Sequence, residues 1–154
     1  MVSLLAQATA RDEVCALVDG NDAFDPQSGM EAGLDLKRLL WVRCHKLDQV
    51  LKSTDLLLQG GGFGRVVMDL TDLPPPQLRS VSLASWFRFQ RVIEKTPTVL
   101  VVLSPESLVK SAASLVLRLE MANAEWTNVE VVRSRKSHPL NSYVRVHLRP
   151  KFFW

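Results

Sequence analysis

No stretch of 18 uncharged apolar residues occurs in this 154-residue chain, so no transmembrane helix is expected. Cysteine is scarce. Cys15 and Cys44 stand alone inside apolar runs, which excludes a disulfide scaffold or a cysteine zinc cluster and suits a reducing compartment. The opening residues, Met1 to Gln7, carry no basic charge, so a secretory leader is not expected. There is no linker rich in Gly or Ser, no low-complexity tract and no internal repeat. His45, His138 and His147 have no metal-ligand spacing, and no Ser, His and Asp set stands out as a hydrolase triad. A net charge of +3 is weak evidence for nucleic-acid binding unless it is clustered. What is present is 47% apolar sequence, ample for one core at this length. The expectation is one soluble cytoplasmic domain over residues 1–154, away from membranes and with no cofactor.

The apolar runs are short and alternate with amphipathic stretches. Val14 to Val18 is unbroken and apolar before the turn cluster Asp19-Gly20-Asn21-Asp22, which reads as a strand buried on both faces. Asp25-Pro26 sets an N-cap before a proline at the first helical position, predicting a short helix to about Gly33. Leu39 to Val42 reads as a second strand. Residues 46–58 show helical spacing, closed by Gly60. Val66 to Leu70 is a third strand, with an acid near its carboxyl end. Beyond Pro74-Pro75-Pro76, one helix is predicted over about 77–95, and Thr98 to Leu103 is a fourth buried strand. Strand alternating with helix argues for an α/β fold with a mainly parallel sheet. Leu115–Glu120, Val129–Arg133 and Tyr143–Arg149 then alternate clearly and are joined by short links. They are expected as antiparallel strands extending one edge of that sheet.

Gly60-Gly61-Gly62-Phe63-Gly64 invites comparison with a phosphate loop. Such a loop follows a strand and opens a helix, whereas these glycines follow a helix and open a strand, so a helix end and turn is the better reading. No Gly-x-x-x-x-Gly-Lys-Ser/Thr occurs. Asp69, at the end of the third strand, has the form of a Walker B acid beside nucleotide-bound magnesium; a turn former or helix cap is the plain alternative. Residues 129–154 hold Arg133, Arg135, Lys136, Arg145, Arg149 and Lys151 against one acid, Glu130. These six are candidates for phosphate or DNA contact. On a strand Arg133 and Arg135 would share a face, and Phe152-Phe153-Trp154 would offer rings for stacking on bases. Against this stands a solvated edge strand guarded by charge, with an apolar tail docked on the core.

The run Cys15-Ala16-Leu17-Val18-Asp19-Gly20-Asn21-Asp22-Ala23-Phe24-Asp25-Pro26 resembles the second core strand of RecA recombinases, with its acid-rich loop and Ala-x-Asp-Pro turn. The likeness continues in family order through Gly33-Leu34-Asp35-Leu36, Leu39-Leu40, the Val66–Asp69 and Val99–Leu103 strands, Ala112–Leu119 and Val129–Arg135. It covers about residues 2–149. Leu39 to Cys44 and Gly61 to Gly64 are worded more like RecA-like accessory proteins, among them the ImuA type associated with damage-induced translesion synthesis. The resemblance implies a RecA-like three-layer core, with Asp69 as a vestigial Walker B acid. It also implies that Arg133 and Arg135 match two lysines that reach a neighbouring subunit's nucleotide.

The departures from the family pattern shape the functional expectation. Met1 would fall in the helix after the phosphate loop, so the loop and its strand are expected to be missing. The family's catalytic Glu matches Asn21, and an amide takes no proton from an attacking water. Ser104-Pro105 replaces the Asn-Gln pair that senses the γ-phosphate, and the links matching the DNA-binding loops are short. The resemblance therefore implies a non-catalytic accessory protein of DNA repair, the SOS response or translesion synthesis. Its expected partners are RecA, a translesion polymerase, DNA held weakly, or a second copy. The alternatives are an ATPase whose phosphate loop lies upstream, and a purely structural oligomerisation domain. With the phosphate-loop strand absent, Thr98–Leu103 is expected to pair directly with Leu115–Glu120; a strand from another chain is the other remedy.

Overall fold

The computed structural model describes residues 1–109, 111–123, 126–135 and 143–147. Its contacts divide the chain into two compact units, Met1–Leu108 and Val109–Trp154.

The first unit runs α1 (Val2–Thr9), β1 (Cys15–Asp19), α2 (Pro26–Glu31), a 3-10 turn (Leu36–Arg38), β2 (Leu39–Arg43) and α3 (Leu47–Gly60). It continues through β3 (Arg65–Asp69), α4 (Pro75–Arg79), α5 (Leu83–Ile93) and β4 (Val99–Leu103). The four strands form one parallel sheet in the order β2-β1-β3-β4. All five residues of β1 are buried: the apolar run Cys15–Val18 suits a strand between two neighbours, and Asp19 ends it as a buried carboxylate. One face of the sheet packs Leu5 and Ala8 of α1 against Cys15, Leu17 and Val67, with Leu39, Trp41, Val101 and Leu103 around them. The other face takes α3, which contacts β1 and β3 and lies beside α5. The result is the expected α/β arrangement of helix, sheet and helix.

Local chemistry accounts for the helix ends. Asp25 accepts from the backbone N–H groups of Gln27 and Ser28, with Pro26 in the first turn. Gly61 caps α3 at φ +68°, and Gly62 follows at +83°, so this pair makes the left-handed turn into β3.

Two expectations for this unit are corrected. The single helix over 77–95 is two, α4 and α5. Ser80 Oγ donates to the Gln77 carbonyl at the end of α4, and Ser82 Oγ accepts from the Ser85 N–H as the N-cap of α5. Nor is β4 a buried strand: it is the sheet's edge, and Val99 is 51% exposed. An aliphatic run reads the same at an edge as in the middle of a sheet.

The second unit holds β5 (Leu115–Met121), β6 (Trp126–Ser134) and β7 (Tyr143–His147), antiparallel in the order β5-β6-β7. In the turn between β5 and β6, Asn123 Oδ1 accepts from the Trp126 N–H at 2.9 Å. A register irregularity falls between Val116 and Leu117, where Val116 faces Arg133 but Leu117 faces Val131. These strands do not extend the parallel sheet, and β5 does not pair with β4: the two belong to different sheets. A parallel crossover needs a dozen or more residues, usually helical. The link over 104–114 contains Pro105 and no helix among its described residues, whereas β5 and β6 satisfy each other across a short turn. Among the described residues, no helix is long and apolar enough to cross a membrane.

Candidate functional site

In the first unit β1 is followed by β2 on one side and flanked by β3 on the other, so the winding reverses between β1 and β3. Open parallel sheets hold ligands outside the carboxyl ends of their strands at such a reversal. The residues there are Asp19 and Asp69, register partners at the ends of β1 and β3. The Gly20 N–H donates to the Asp69 carbonyl at 3.0 Å, binding the two strand ends together. A Cβ on Gly20 would stand 2.7 Å from that carbonyl oxygen, so only glycine permits this approach.

Asp19 is 2% exposed. Its Oδ1 accepts from the backbone N–H groups of Asn21 and Ala23 at 3.2 Å each. Its Oδ2 accepts from the Phe24 N–H at 3.0 Å and from the Trp41 indole N–H at 3.2 Å. Burial alone would push this carboxyl up, but the backbone donors of Phe24, Ala23 and Asn21 and the Trp41 indole outweigh it and hold the pKa below its ordinary value. The loop from Gly20 to Phe24 is thus wound around one carboxylate.

Beside it, Asp22 takes a left-handed φ of +56° and forms a two-pronged ion pair with Arg43 at the end of β2. The Arg43 guanidinium lies 5.0 Å from the centre of the Trp41 ring, and Phe24 meets Trp41 edge-on at 5.3 Å. The Arg43 hydrogen bonds hold the Asp22 carboxyl below its ordinary range. Further along the edge, Arg79 of α4 makes two hydrogen bonds of 2.9 Å to the Glu106 carboxylate. Both arginines at this edge therefore meet a carboxylate already.

The Walker B-like candidate, Asp69, stands half-buried where the sequence puts it. Its Oδ1 accepts from Thr71 N at 3.0 Å and Thr71 Oγ at 2.6 Å, the pattern of a turn-forming acid. Asn21 is exposed and gives the Asp19 shell its backbone N–H. The glycines Gly60 to Gly64 lie at the amino end of β3, the far end of the strand from Asp69. A Cβ on Gly61 or Gly62 would meet nothing within 4 Å, so they serve the turn's dihedrals and line no cradle. Among the described residues, no three of His, Cys, Asp and Glu gather as a metal site.

The basic candidates lie in the second unit. Arg133 is half-buried on β6 opposite Val116. Arg135 lies beyond the end of β6, and its guanidinium donates to the Ser111 carbonyl at 2.8 Å, so the two arginines do not share a strand face. Arg145 sits on β7 opposite Asn128. Lys136, Arg149 and Lys151 lie outside the described residues. Sequence reasoning passed over Trp41 and Arg43, which complete the carboxyl-end network; an aromatic and a base two apart at the end of a strand was the available signal.

No family model matches the chain. It is similar to the RecA protein of Ruegeria pomeroyi, at 38% identity over 65 residues, which is 42% of this chain and 19% of that protein. The RecA protein of Rickettsia canadensis is 30% identical over 66 residues, 43% of this chain and 19% of that protein. The matched stretch thus spans about a fifth of the length of these curated relatives. Among solved structures, the crystal structure of the RadB recombinase superposes with a TM-score of 0.70 at 16% identity, covering 96% of this chain and 81% of that one.

Proposed function

We propose that this chain, RecA-like in fold and over 65 residues in sequence, is a non-catalytic accessory module of DNA repair. In this reading it resembles the ImuA type and serves the SOS response or translesion synthesis by docking on RecA, on a polymerase or weakly on DNA. One observation carries the non-catalytic part. The carboxyl edge of the sheet, where a nucleotide would be served, is closed upon itself. Asp19 is filled by four donors, Arg43 is committed to Asp22, Arg79 is committed to Glu106, and Asn21 stands where the family's general base would be. An amide accepts no proton from water, and a neutralised arginine adds little to stabilising phosphoryl charge.

The test is magnesium-dependent ATP turnover by the purified protein, with and without single-stranded DNA. Turnover at the buffer blank is expected. Turnover above the blank that disappears in Asp69→Asn would establish the second reading, an ATPase. That reading draws on the half-buried Asp69 at the sheet's reversal point.

A further inference from the structure

The sequence of β2, the strand at one end of the parallel sheet, does not say how it should be aligned. A strand normally takes its register from alternation, because a slip of one residue turns every side chain to the other face. Leu39-Leu40-Trp41-Val42 is apolar at each position, so its two faces are chemically alike. The structure nevertheless holds one alignment, with Cys15 facing Leu39 and Asp19 facing Arg43. Leu39 and Trp41 pack with α1, and Leu40 and Val42 take the other face. In this alignment the Trp41 indole reaches Asp19.

Charges at the two ends of the run supply what its apolar residues lack. Arg38 stands immediately before β2, and Arg43 is its last residue. Arg38 reaches Asp12 twice: Nη2 lies 2.7 Å from the carboxylate, and Nη1 donates to the backbone carbonyl at 3.1 Å. Its further contact, 3.5 Å to Asp35, lies within its own turn and moves with it. Arg43 holds the Asp22 carboxylate with two prongs. Asp12 lies three residues before the first residue of β1, and Asp22 three after the last. Both are left-handed, at φ +63° and +56°, and no other described residue besides glycine is. That backbone is disfavoured for L-residues, though least so for Asp and Asn. Each turn is therefore held in a costly shape that offers its carboxylate to one end of β2.

We infer that these two ion pairs hold β2 in register on β1 and so place the Trp41 indole on Asp19. Arg38 and Arg43 are positioning residues, acting through Trp41. A slip of one residue moves β2 by about 3.3 Å along β1 and draws both guanidiniums away from their carboxylates together. Leu40 and Val42 would then take the α1 side, an exchange of apolar for apolar that hydrophobicity alone does not resist.

Hydrogen exchange followed by NMR on the full chain tests this inference. The variant Asp12→Gly/Asp22→Gly keeps both left-handed turns, which glycine adopts freely, and removes both charges. The probes are the Trp41 indole N–H and the Cys44 amide, which donates to the Asp19 carbonyl at 2.8 Å. Both should exchange roughly tenfold faster, as the loss of two ion pairs of ordinary surface strength gives. The Leu70 amide, which donates to Leu103 at the far side of the sheet, should keep its rate. In the unaltered chain the two β2 probes should also quicken with sodium chloride, which screens charge pairs; in the variant they should no longer respond. Probe rates unmoved by the substitutions overturn the inference. So does a rise shared equally by Leu70, which would make the pairs general supports of the unit. Should the variant fail to fold, the salt series on the unaltered chain decides: a rise confined to the β2 probes upholds the inference, and its absence overturns it.

Discussion

The indole N–H of Trp41 on β2 donates 3.2 Å to Oδ2 of Asp19 on β1, so an aromatic side chain completes the shell of a buried carboxylate on the next strand. Asp19→Ala would leave three backbone donors and that indole without the acceptor they share. Removing one partner of a charged hydrogen bond is costly because the groups left behind stay desolvated. A loss of about 3 kcal/mol or more in unfolding free energy is expected, read from urea denaturation. A loss under 1 kcal/mol (about the scale of one neutral hydrogen bond) would show the loop closing without the carboxylate.

The same shell gives a pH dependence. The pKa of Asp19 is lower folded than unfolded. Its ionised form therefore adds stability above the unfolded value, about 3.9, and this is lost as pH falls through the folded value. Asp19→Asn should be less stable at neutral pH yet show a shallower decline into acid. Parallel acid limbs for variant and parent would assign the acid sensitivity to other carboxylates.

Gly20→Ala should destabilise by about 1–3 kcal/mol, the usual cost of overpacking. Its Cβ would meet a backbone oxygen, which cannot swing aside as a side chain would. The urea midpoint should fall with the slope unchanged. An unaltered midpoint would mean that the ends of β1 and β3 separate easily.

Arg133 and Arg135 should behave differently. If DNA is held by the basic strands, Arg133→Ala should weaken binding and flatten its salt dependence without changing the melting temperature. Arg135→Ala should instead lower the stability of the second unit, because its guanidinium is spent on the Ser111 carbonyl. Filter binding at several salt concentrations, paired with thermal melts, separates the two. Identical effects of both substitutions would restore the reading in which they act as a pair.

Much of this architecture was legible in residues 14–103. Val14 to Val18 announced a central strand because Cys15 to Val18, four buried positions in a row, need four apolar residues, and Asp25-Pro26 announced a helix start because its chemistry is local. The break between α4 and α5 was hidden: Ser80 and Ser82 act through hydrogen bonds to specific backbone groups, which periodicity does not register. The edge position of β4 and the separation of β5 from it are long-range facts about which strands meet. Asp69 was visible as a strand-end acid, but its engagement with Thr71 depends on how the turn closes. The Asp19 shell was least visible, because three of its four donors are backbone groups, which every residue carries.

The register irregularity between β5 and β6 has an arithmetic of its own. Because Val116 faces Arg133 while Leu117 faces Val131, Val132 is the one residue of β6 with no opposite number. A regular ladder that paired Val132 with Val116 would set Arg133 across from Leu115, in line with Leu117, Leu119 and Met121. The supernumerary residue instead sends Arg133 to the side of Val116. A single valine outside the ladder thus acts as a parity switch for the end of β6: were Val132 drawn in opposite Val116, the guanidinium of Arg133 would turn onto the face of Leu117, Leu119 and Met121.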